Sequence, residues 1–264
     1  MLLQDKNAVI YGGGGAIGGA VARTFAREGA TVFLAGRTRA KLDRVAGEIS
    51  AAGGAVEVAE VDALDEQAVS EHADAVAAKA GGIDVALNAV GIVHDQGTPF
   101  LELSLEDYAQ PITDFTRTNF VTAKAVARHM VRKGSGVILT LSTPGSRLTG
   151  QGFLGYGVTC GAVETFSRIL AGELGPSGVR VVCVRPHAIP EATATSYTRE
   201  VFGGSAERAG ITVDALTDRM RAGTLLGRLP TLAEVAEFAT FVASDRAGAM
   251  TGAIANLSCG SVVD

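Results

Sequence analysis

Short runs of β-branched and other apolar residues alternate with longer helical patterns along almost the whole chain. The strand-like runs cover residues 8–11, 31–34, 56–58, 83–87, 136–141, 179–184 and 254–257. Most of these runs are nearly continuously apolar, which is typical of parallel strands buried on both faces of a sheet. Because helical segments separate the strands, we expect an α/β protein with a Rossmann-type, doubly wound parallel sheet of about seven strands.

The helical patterns fill the intervals between these strands. They cover residues 17–28, 40–51, 65–79, 104–132, 153–174 and 231–242. Ser104 with Asp107, and Thr231 with Glu234, have the spacing of a capping box that begins a helix. The alternation breaks only at about residues 190–227, where a substrate lid is expected because the break follows the end of a strand. We find no repeat or linker, so residues 1–264 are expected to form a single domain.

Composition excludes several classes of function. The net charge is −5 with no run of Lys or Arg, which argues against nucleic acid or an anionic membrane as the main partner. The three cysteines are widely spaced and form no metal-binding pattern or disulfide framework, so we expect no metal site and a reducing, cytoplasmic location. No apolar stretch approaches about 18 residues, so no membrane span is expected, and the first residues lack the pattern of a signal peptide.

Four consecutive glycines, residues 12–15, lie between the first strand and the first helix. Gly13, Gly15 and Gly18 satisfy the pattern G-x-G-x-x-G. In a chain with 34 glycines the pattern alone could be a flexible turn, but its place between a strand and a helix favours a dinucleotide site. There the glycines let the backbone approach a pyrophosphate, and the helix N-terminus supplies N–H groups.

The end of the second strand indicates which dinucleotide is bound. An NAD-specific site usually has an acidic residue about 20 residues after the glycines. Here Gly36 occupies that position, and Arg37 follows it with Arg39 nearby. A cation without a carboxylate suits a 2′-phosphate, so we expect NADP(H), with NAD(H) as the alternative if Arg37 is only a solvated charge at a helix start.

Together these residues resemble the short-chain dehydrogenase/reductase family, and the resemblance runs nearly end to end. The family's T-G-x-x-x-G-I-G motif is matched by residues 11–18, with Tyr11 in place of Thr and Ala16 in place of the middle Gly. Residues 88–91 resemble the family's N-N-A-G stretch. Residues 184–189 resemble its V-x-P-G-x-[IV] stretch, with His187 in place of Gly. Residues 227–230 and 251–252 match its C-terminal landmarks.

The resemblance implies a set of residues that contact the cofactor. Asp62 would bond the adenine, and the backbone of the stretch around Pro186 would meet the nicotinamide carboxamide. The expected cofactor-binding residues are Gly12, Gly14, Gly15, Ala16, Ile17, Gly18, Arg37, Asp62, Asn88, Ala89, Gly91, Tyr156, Pro186 and Ile189.

The catalytic positions follow the family less faithfully. The family has Ser, then Tyr thirteen residues later, then Lys four residues after that. The resemblance identifies Tyr156 as the tyrosine, while Thr143 stands at the Ser position and Ser142 is adjacent, so either hydroxyl could bind a substrate carbonyl. Asn119 matches the asparagine that organises a water-mediated proton relay. Cys160 replaces the lysine.

The missing lysine has a directional consequence. In the family its charge lowers the pKa of the tyrosine, which a neutral thiol cannot do. Tyr156 should then remain protonated, favouring reduction over alcohol oxidation. Lys124 or His187 could bring another cation, although a solvated helix face is the better interpretation for Lys124. For Cys160, a space-filling role is favoured over a nucleophilic one, because no positive field is evident that would form a thiolate.

These observations leave three functions open. The first is an NADP(H)-dependent reductase of a carbonyl, or an activated C=C bond, in a small hydrophobic molecule. The second is a nucleotide-binding protein on the same fold without redox chemistry, and the third is a non-redox enzyme that uses Tyr156. The resemblance further implies a homotetramer or homodimer formed through helices at about 107–132 and 153–174.

Overall fold

A seven-stranded parallel sheet forms the centre of the computed structural model, which describes residues 1–193 and 196–263. The strands are β1 (Asn7–Tyr11), β2 (Thr31–Gly36), β3 (Val56–Glu60), β4 (Val85–Asn88), β5 (Gly136–Leu141), β6 (Val179–Pro186) and β7 (Ile254–Leu257). They are arranged in the order β3-β2-β1-β4-β5-β6-β7. The chain moves outward from β1 to β3 and then returns to β4 on the other side of β1. The predicted Rossmann-type, doubly wound sheet is therefore confirmed.

Helices cover both faces of this sheet. They are α1 (Ala16–Arg27), α2 (Arg39–Ala51), α3 (Glu66–Ala80), α4 (Leu105–Lys133), α5 (Leu154–Leu174), α6 (Pro190–Thr193), α7 (Thr198–Arg208), α8 (Val213–Ala222) and α9 (Leu232–Ala243). One apolar core lies between the sheet and α1, α2 and α9, and a second between the sheet and α3, α4 and α5. The burial of both strand faces explains why the strands read as continuous apolar runs.

The predicted lid segment, residues 190–227, contains the short helices α6, α7 and α8. Residues 194 and 195 of this segment, and residue 264 at the end of the chain, lie outside the described residues. Within residues 1–193 and 196–263, no helix is both long and apolar enough to cross a membrane.

Side-chain caps begin the two helices whose starts the sequence indicated. The Thr231 hydroxyl accepts a hydrogen bond from the Glu234 N–H, and the Glu234 carboxylate accepts one from the Thr231 N–H, which confirms the capping box. At Ser104 only half of the box forms. The Ser104 hydroxyl accepts from the Asp107 N–H and donates to the Asp107 carboxylate at 2.6 Å. The Asp107 side chain is shorter than that of the Glu in a full capping box. Its carboxylate accepts from the Ser104 hydroxyl instead of from the Ser104 N–H.

The predicted glycine turn and Asn88 lie where the order of strands reverses, at the carboxyl ends of β1 and β4. Tyr11 pairs in register with Ala35 of β2 on one side and with Asn88 of β4 on the other. The loops that follow these strands therefore begin side by side. This crevice is where doubly wound sheets bind their ligands.

Candidate active site

The loop after β1 is packed so closely that two of its positions accept only glycine. A Cβ on Gly12 would lie 2.4 Å from the carbonyl oxygen of Ala89, and the φ of Gly12 is +79°. A Cβ on Gly18 would lie 2.4 Å from the Gly12 carbonyl oxygen. The Gly12 and Gly13 N–H groups both donate to the Ala35 carbonyl, at 2.8 and 3.1 Å. The glycines thus fix a tight turn that brings backbone to the surface of the crevice.

The N-terminus of α1 opens from this turn without a competing cap. Gly15 is its N-cap residue and provides no side-chain hydrogen bond, and the first turn contains no acidic residue. The N–H groups of Ala16, Ile17 and Gly18 have no intrahelical acceptor in a first turn, and the helix dipole adds positive potential there. These donors fit the pyrophosphate of a dinucleotide.

Arg37 stands just beyond β2 as an exposed cation. Neighbouring Arg39 forms an ion pair with Asp43 at 2.8 Å, whereas no hydrogen bond or ion pair of the Arg37 side chain is recorded among the described residues. Asp62, which follows β3, is exposed, and its carboxylate accepts from the Leu64 N–H at 3.0 Å. The charge of Arg37 is thus available to a phosphate at this edge.

Asn88 closes the crevice from the β4 side. Its Nδ2 donates to the Thr122 hydroxyl at 3.1 Å, and its Oδ1 accepts from the Val90 N–H at 3.0 Å. The Ala89 N–H donates to the Tyr11 carbonyl at 2.8 Å. Asn88 therefore fixes the loop after β4 to both α4 and β1, which keeps that loop against the glycine turn.

Two hydroxyls and a thiol meet at the carboxyl end of β5. The Thr143 Oγ1 lies 2.6 Å from the Tyr156 hydroxyl and 3.2 Å from the Cys160 Sγ. Tyr156 and Cys160 are four residues apart on α5 and so share one face of that helix. The structure thus brings together three of the four side chains that the sequence singled out around the missing lysine.

The fourth, Ser142, faces away from this group. Its hydroxyl donates to the Glu164 carboxylate at 2.9 Å. The same Glu164 oxygen accepts from the Ser146 hydroxyl at 2.6 Å and lies 3.4 Å from the Arg185 Nη1. Glu164 is only 5% exposed. The buried Glu164 carboxylate therefore joins α5, β6 and the loop after β5. Of the two candidate hydroxyls, that of Thr143 contacts Tyr156.

Both titratable groups of the site are held in their neutral forms. Burial raises the pKa of Tyr156 well above its usual value of 10, and the adjacent Cys160 adds to that rise. Burial likewise raises the pKa of the Cys160 thiol. Low polarity around a group disfavours its charged form, so Tyr156 is a protonated phenol and Cys160 a protonated thiol.

Asn119 lies on α4. Its Nδ2 donates to the Phe115 carbonyl one turn earlier, at 2.9 Å, and its buried Oδ1 has no partner among the described residues. Asn119 lines a cavity of about 10 Å³ between α4 and the sheet. That is room for about one water molecule, whose donor would satisfy the Oδ1 atom.

The remaining predicted residues lie at the end of β6 and on α4. Pro186 ends β6, and Ile189 is buried just before α6. The His187 Nδ1 accepts from the Ala188 N–H at 2.6 Å, and burial lowers the pKa of that imidazole. Lys124 pairs with Glu66 at 2.8 Å and its side chain is 61% exposed. The surface interpretation of Lys124 is therefore confirmed.

Sequence reasoning missed an aromatic cluster around the tyrosine. His94 stacks face to face on Tyr156, with centroids 4.7 Å apart and planes inclined by 7°. Phe115 and Tyr197 contact the other sides of His94, at 5.9 and 6.1 Å. Tyr197 also packs directly over Gly91, where a Cβ would lie 2.1 Å from the ring. One cue was available, since His94 follows residues 88–91 by three positions and is the first polar residue after an apolar run.

A glycine turn lies at a helix N-terminus, and a threonine after β5 contacts a tyrosine of α5. This arrangement defines a dinucleotide-binding α/β fold with an acid–base group. Comparison with known proteins specifies the family. The model of a family described as enoyl-(acyl carrier protein) reductase matches residues 14–261. The chain therefore belongs to the short-chain dehydrogenase/reductase family of oxidoreductases, whose members use NAD(H) or NADP(H).

Individual relatives align over almost the full length. The short-chain reductase NovJ of Streptomyces niveus is 32% identical over 251 residues, which are 94% of this chain and 91% of NovJ. The 3-oxoacyl-(acyl-carrier-protein) reductase FabG of Chlamydia muridarum is 29% identical over 260 residues, 98% of each chain. The solved structure of a short-chain type dehydrogenase/reductase from Mycobacterium ulcerans matches with a TM-score of 0.86 at 30% identity, covering 99% of this chain and 91% of that one.

Proposed function

We propose that this protein is an NADP(H)-dependent reductase of a carbonyl, or of an activated C=C bond, in a small hydrophobic molecule. The observation that carries the proposal is the contact of 2.6 Å between the Thr143 and Tyr156 hydroxyls at the cofactor edge of the sheet. NADPH, when bound, supplies the hydride. The relatives include named reductases, which is consistent with this reaction class.

Each residue of the group has a defined task under this proposal. Thr143 donates its hydroxyl hydrogen to the Tyr156 oxygen, which leaves the phenol O–H free to donate to the substrate oxygen. Tyr156 donates its proton to that oxygen as negative charge develops there. Asn119 holds a water through its otherwise unpaired Oδ1, from which the phenol is reprotonated. Ser142 supports the loop through Glu164 and does not touch the substrate.

The cofactor would be held by the chain's own backbone and by one cation. The proposed contacts are those of the sequence prediction: the glycine turn and the start of α1 at the pyrophosphate, Asp62 at the adenine, residues 88–91 along the ribose side, and Pro186 and Ile189 at the nicotinamide. Arg37 would pair with the 2′-phosphate and so select NADP(H) over NAD(H).

The Arg37 assignment is tested by titrating the protein with NADPH and NADH and following nicotinamide fluorescence. Arg37→Ala should weaken NADPH binding by about 10- to 100-fold, because a charged hydrogen bond contributes about 1.5–3 kcal/mol. NADH binding should stay unchanged. Arg44→Ala is the matched control, since Arg44 is an exposed arginine of α2 paired with Glu48. Equal losses for both nucleotides, or for both variants, would contradict the assignment.

The reaction is tested by mixing the NADPH complex with a panel of small ketones, aldehydes and enones. Consumption of NADPH in the forward direction, lost in Tyr156→Phe, supports the reductase. The second candidate function is a nucleotide-binding protein or a non-redox enzyme on this fold, which the neutral Cys160 in the lysine position favours. Tight NADPH binding without turnover of any carbonyl, before and after restoring the lysine by Cys160→Lys, would favour that candidate.

We further propose a homotetramer or homodimer assembled through α4 and α5. A groove of about 590 Å³ runs between these helices and is lined mainly by apolar side chains. Phe120 and Ile169 on its walls are 52% and 59% exposed. Exposed apolar area of this kind is typical of a surface that is covered in an assembly. The segment 190–227 is proposed as the substrate lid of a single-domain enzyme, and three free cysteines suit a cytoplasmic location.

A further inference from the structure

The loop after β4, residues 92–98, lies between the helical segment α7 and the start of α5. On one side, the Gly97 N–H donates to the Gly152 carbonyl at 2.8 Å, two residues before α5 begins. On the other side, Gly97 faces the Arg208 side chain and the backbone of Ser205 on α7. This loop is therefore the structural link between the proposed lid and the helix that carries Tyr156.

Within this loop, His94 is fixed at both ring nitrogens. Its Nδ1–H donates to the Ile92 carbonyl at 2.8 Å, and its Nε2 accepts from the Gln96 side-chain amide at 2.9 Å. The ring is 7% exposed and burial lowers its pKa, so it is a neutral imidazole of defined tautomer. The His94 ring stacks on the face of the Tyr156 ring, with the ring centroids 4.7 Å apart.

Helix α7 in turn holds Gln96 and its neighbour. The Gln96 carbonyl accepts from the Ser205 hydroxyl at 3.0 Å and from the Arg208 Nη1 at 2.9 Å. Arg208 also pairs with Asp95 at 2.6 Å. Gln96 itself is only 5% exposed. A displacement of α7 would therefore pull on the backbone of residues 95 and 96 and, through the Gln96 amide, on the His94 ring.

We propose that His94 is a positioning residue for Tyr156, and that α7 fixes the orientation of the His94 ring through Gln96. The family lysine that would orient the tyrosine is replaced here by Cys160, a weak hydrogen-bonding partner. The imidazole plane is fixed and parallel to the phenol, so it restricts rotation of the Tyr156 ring. The Tyr156 hydroxyl thereby stays in contact with Thr143. The tyrosine is thus set for proton donation only while α7 is seated on the loop. This inference rests on the proposed reductase function.

Its first test needs no turnover. The chain contains four histidines, so each ring C–H signal in a protein labelled with ¹³C-histidine can be assigned by single substitution. The His94 signal should lie upfield through the ring current of Tyr156 and move downfield in Tyr156→Leu. Arg208→Ala should also move it, while the control Arg221→Ala, an α8 arginine paired with Asp218, should not. If the chemical shift of His94 is the same in the wild-type protein, in Tyr156→Leu and in Arg208→Ala, the proposal is overturned.

The second test separates kcat from KM in NADPH-dependent reduction. Arg208→Ala should lower kcat about tenfold with the KM for NADPH unchanged. His94→Leu should lower kcat further, and His94→Phe, which keeps a stacking ring, should recover most of the loss. Equal losses in the Leu and Phe variants would overturn the stacking role. Should Arg208→Ala fail to fold by circular dichroism, Ser205→Ala deletes one bond to Gln96 instead. Absence of any turnover would refute the reductase, while the ¹³C shifts would still decide the contact.

Discussion

The proposed correspondence of Cys160 to the family lysine makes a quantitative prediction about the direction of the reaction. The Cys160 Sγ and the Tyr156 hydroxyl both contact the Thr143 Oγ1, at 3.2 and 2.6 Å, so they lie within about 6 Å of each other. An ammonium at that separation from a phenolate, in a medium of effective dielectric constant about 20, contributes about 2.8 kcal/mol. That corresponds to about a hundredfold more ionised phenol at any pH below the pKa.

Alcohol oxidation needs this ionised phenol as a base, whereas reduction needs the protonated form. Burial holds the pKa of Tyr156 above its usual range, so the wild-type protein should reduce at neutral pH and oxidise slowly. Its oxidation rate should rise about tenfold for each pH unit between 7 and 9. Cys160→Lys should raise kcat for oxidation at pH 7 by up to about a hundredfold and leave kcat for reduction much less changed.

The assay follows NADPH formation from the alcohol that corresponds to the best carbonyl substrate, from pH 6 to pH 10. Cys160→Met is the matched control, because it supplies a long side chain without the charge. If Cys160→Met raises oxidation as much as Cys160→Lys, space and not charge controls the site. An oxidation rate of the wild-type protein at pH 7 that equals its reduction rate would refute the electrostatic reasoning altogether.

Three further outcomes are expected. Gly12→Ala should lower the free energy of unfolding by about 2 kcal/mol or more and abolish NADPH binding. The control Gly47→Ala should do neither, because a Cβ at that position of α2 meets open space. Thermal denaturation with and without NADPH checks both variants. Tyr156→Phe should lower kcat for reduction by at least about a hundredfold with NADPH affinity intact, as judged by fluorescence titration. Ile169→Asp should dissociate the assembly to monomers in light scattering, and a wild-type monomer would contradict the α4–α5 interface.

Much of the fold could be predicted from the sequence because parallel strands buried on both faces leave an unambiguous apolar pattern. The helix starts at Thr231 and at Ser104 were also readable from capping residues. Boundaries were less certain: β4 runs from Val85 to Asn88, whereas the apolar pattern covers residues 83–87. Asp84 accepts from the Asn7 N–H through its side chain, a contact that no local pattern reveals.

The candidate site was only partly predictable. The family resemblance pointed to Thr143, Tyr156 and Cys160, but it left Thr143 and Ser142 as alternatives. The structure distinguishes them because the hydroxyl of Ser142 is engaged by Glu164, twenty-two residues later in the chain. The stacking of His94 on Tyr156 was not predicted at all. It depends on where the loop after β4 is held by α7, and tertiary contacts of that kind leave no periodicity in the sequence.

The shared carboxylate of Glu164 has a consequence for how this site can change over generations. Its Oε1 accepts from the hydroxyls of Ser142 and of the partly buried Ser146, and it lies 3.4 Å from the buried Arg185 guanidinium. Losing a single member of a buried charged group is far more damaging than exchanging the whole group for apolar residues. We therefore expect that single substitutions around Glu164 are eliminated by selection, whereas joint substitutions of several of these residues are tolerated. The buried surroundings of Glu164 would then change slowly, by two or more substitutions at a time, while the exposed surface around Arg37 remains free to change one residue at a time.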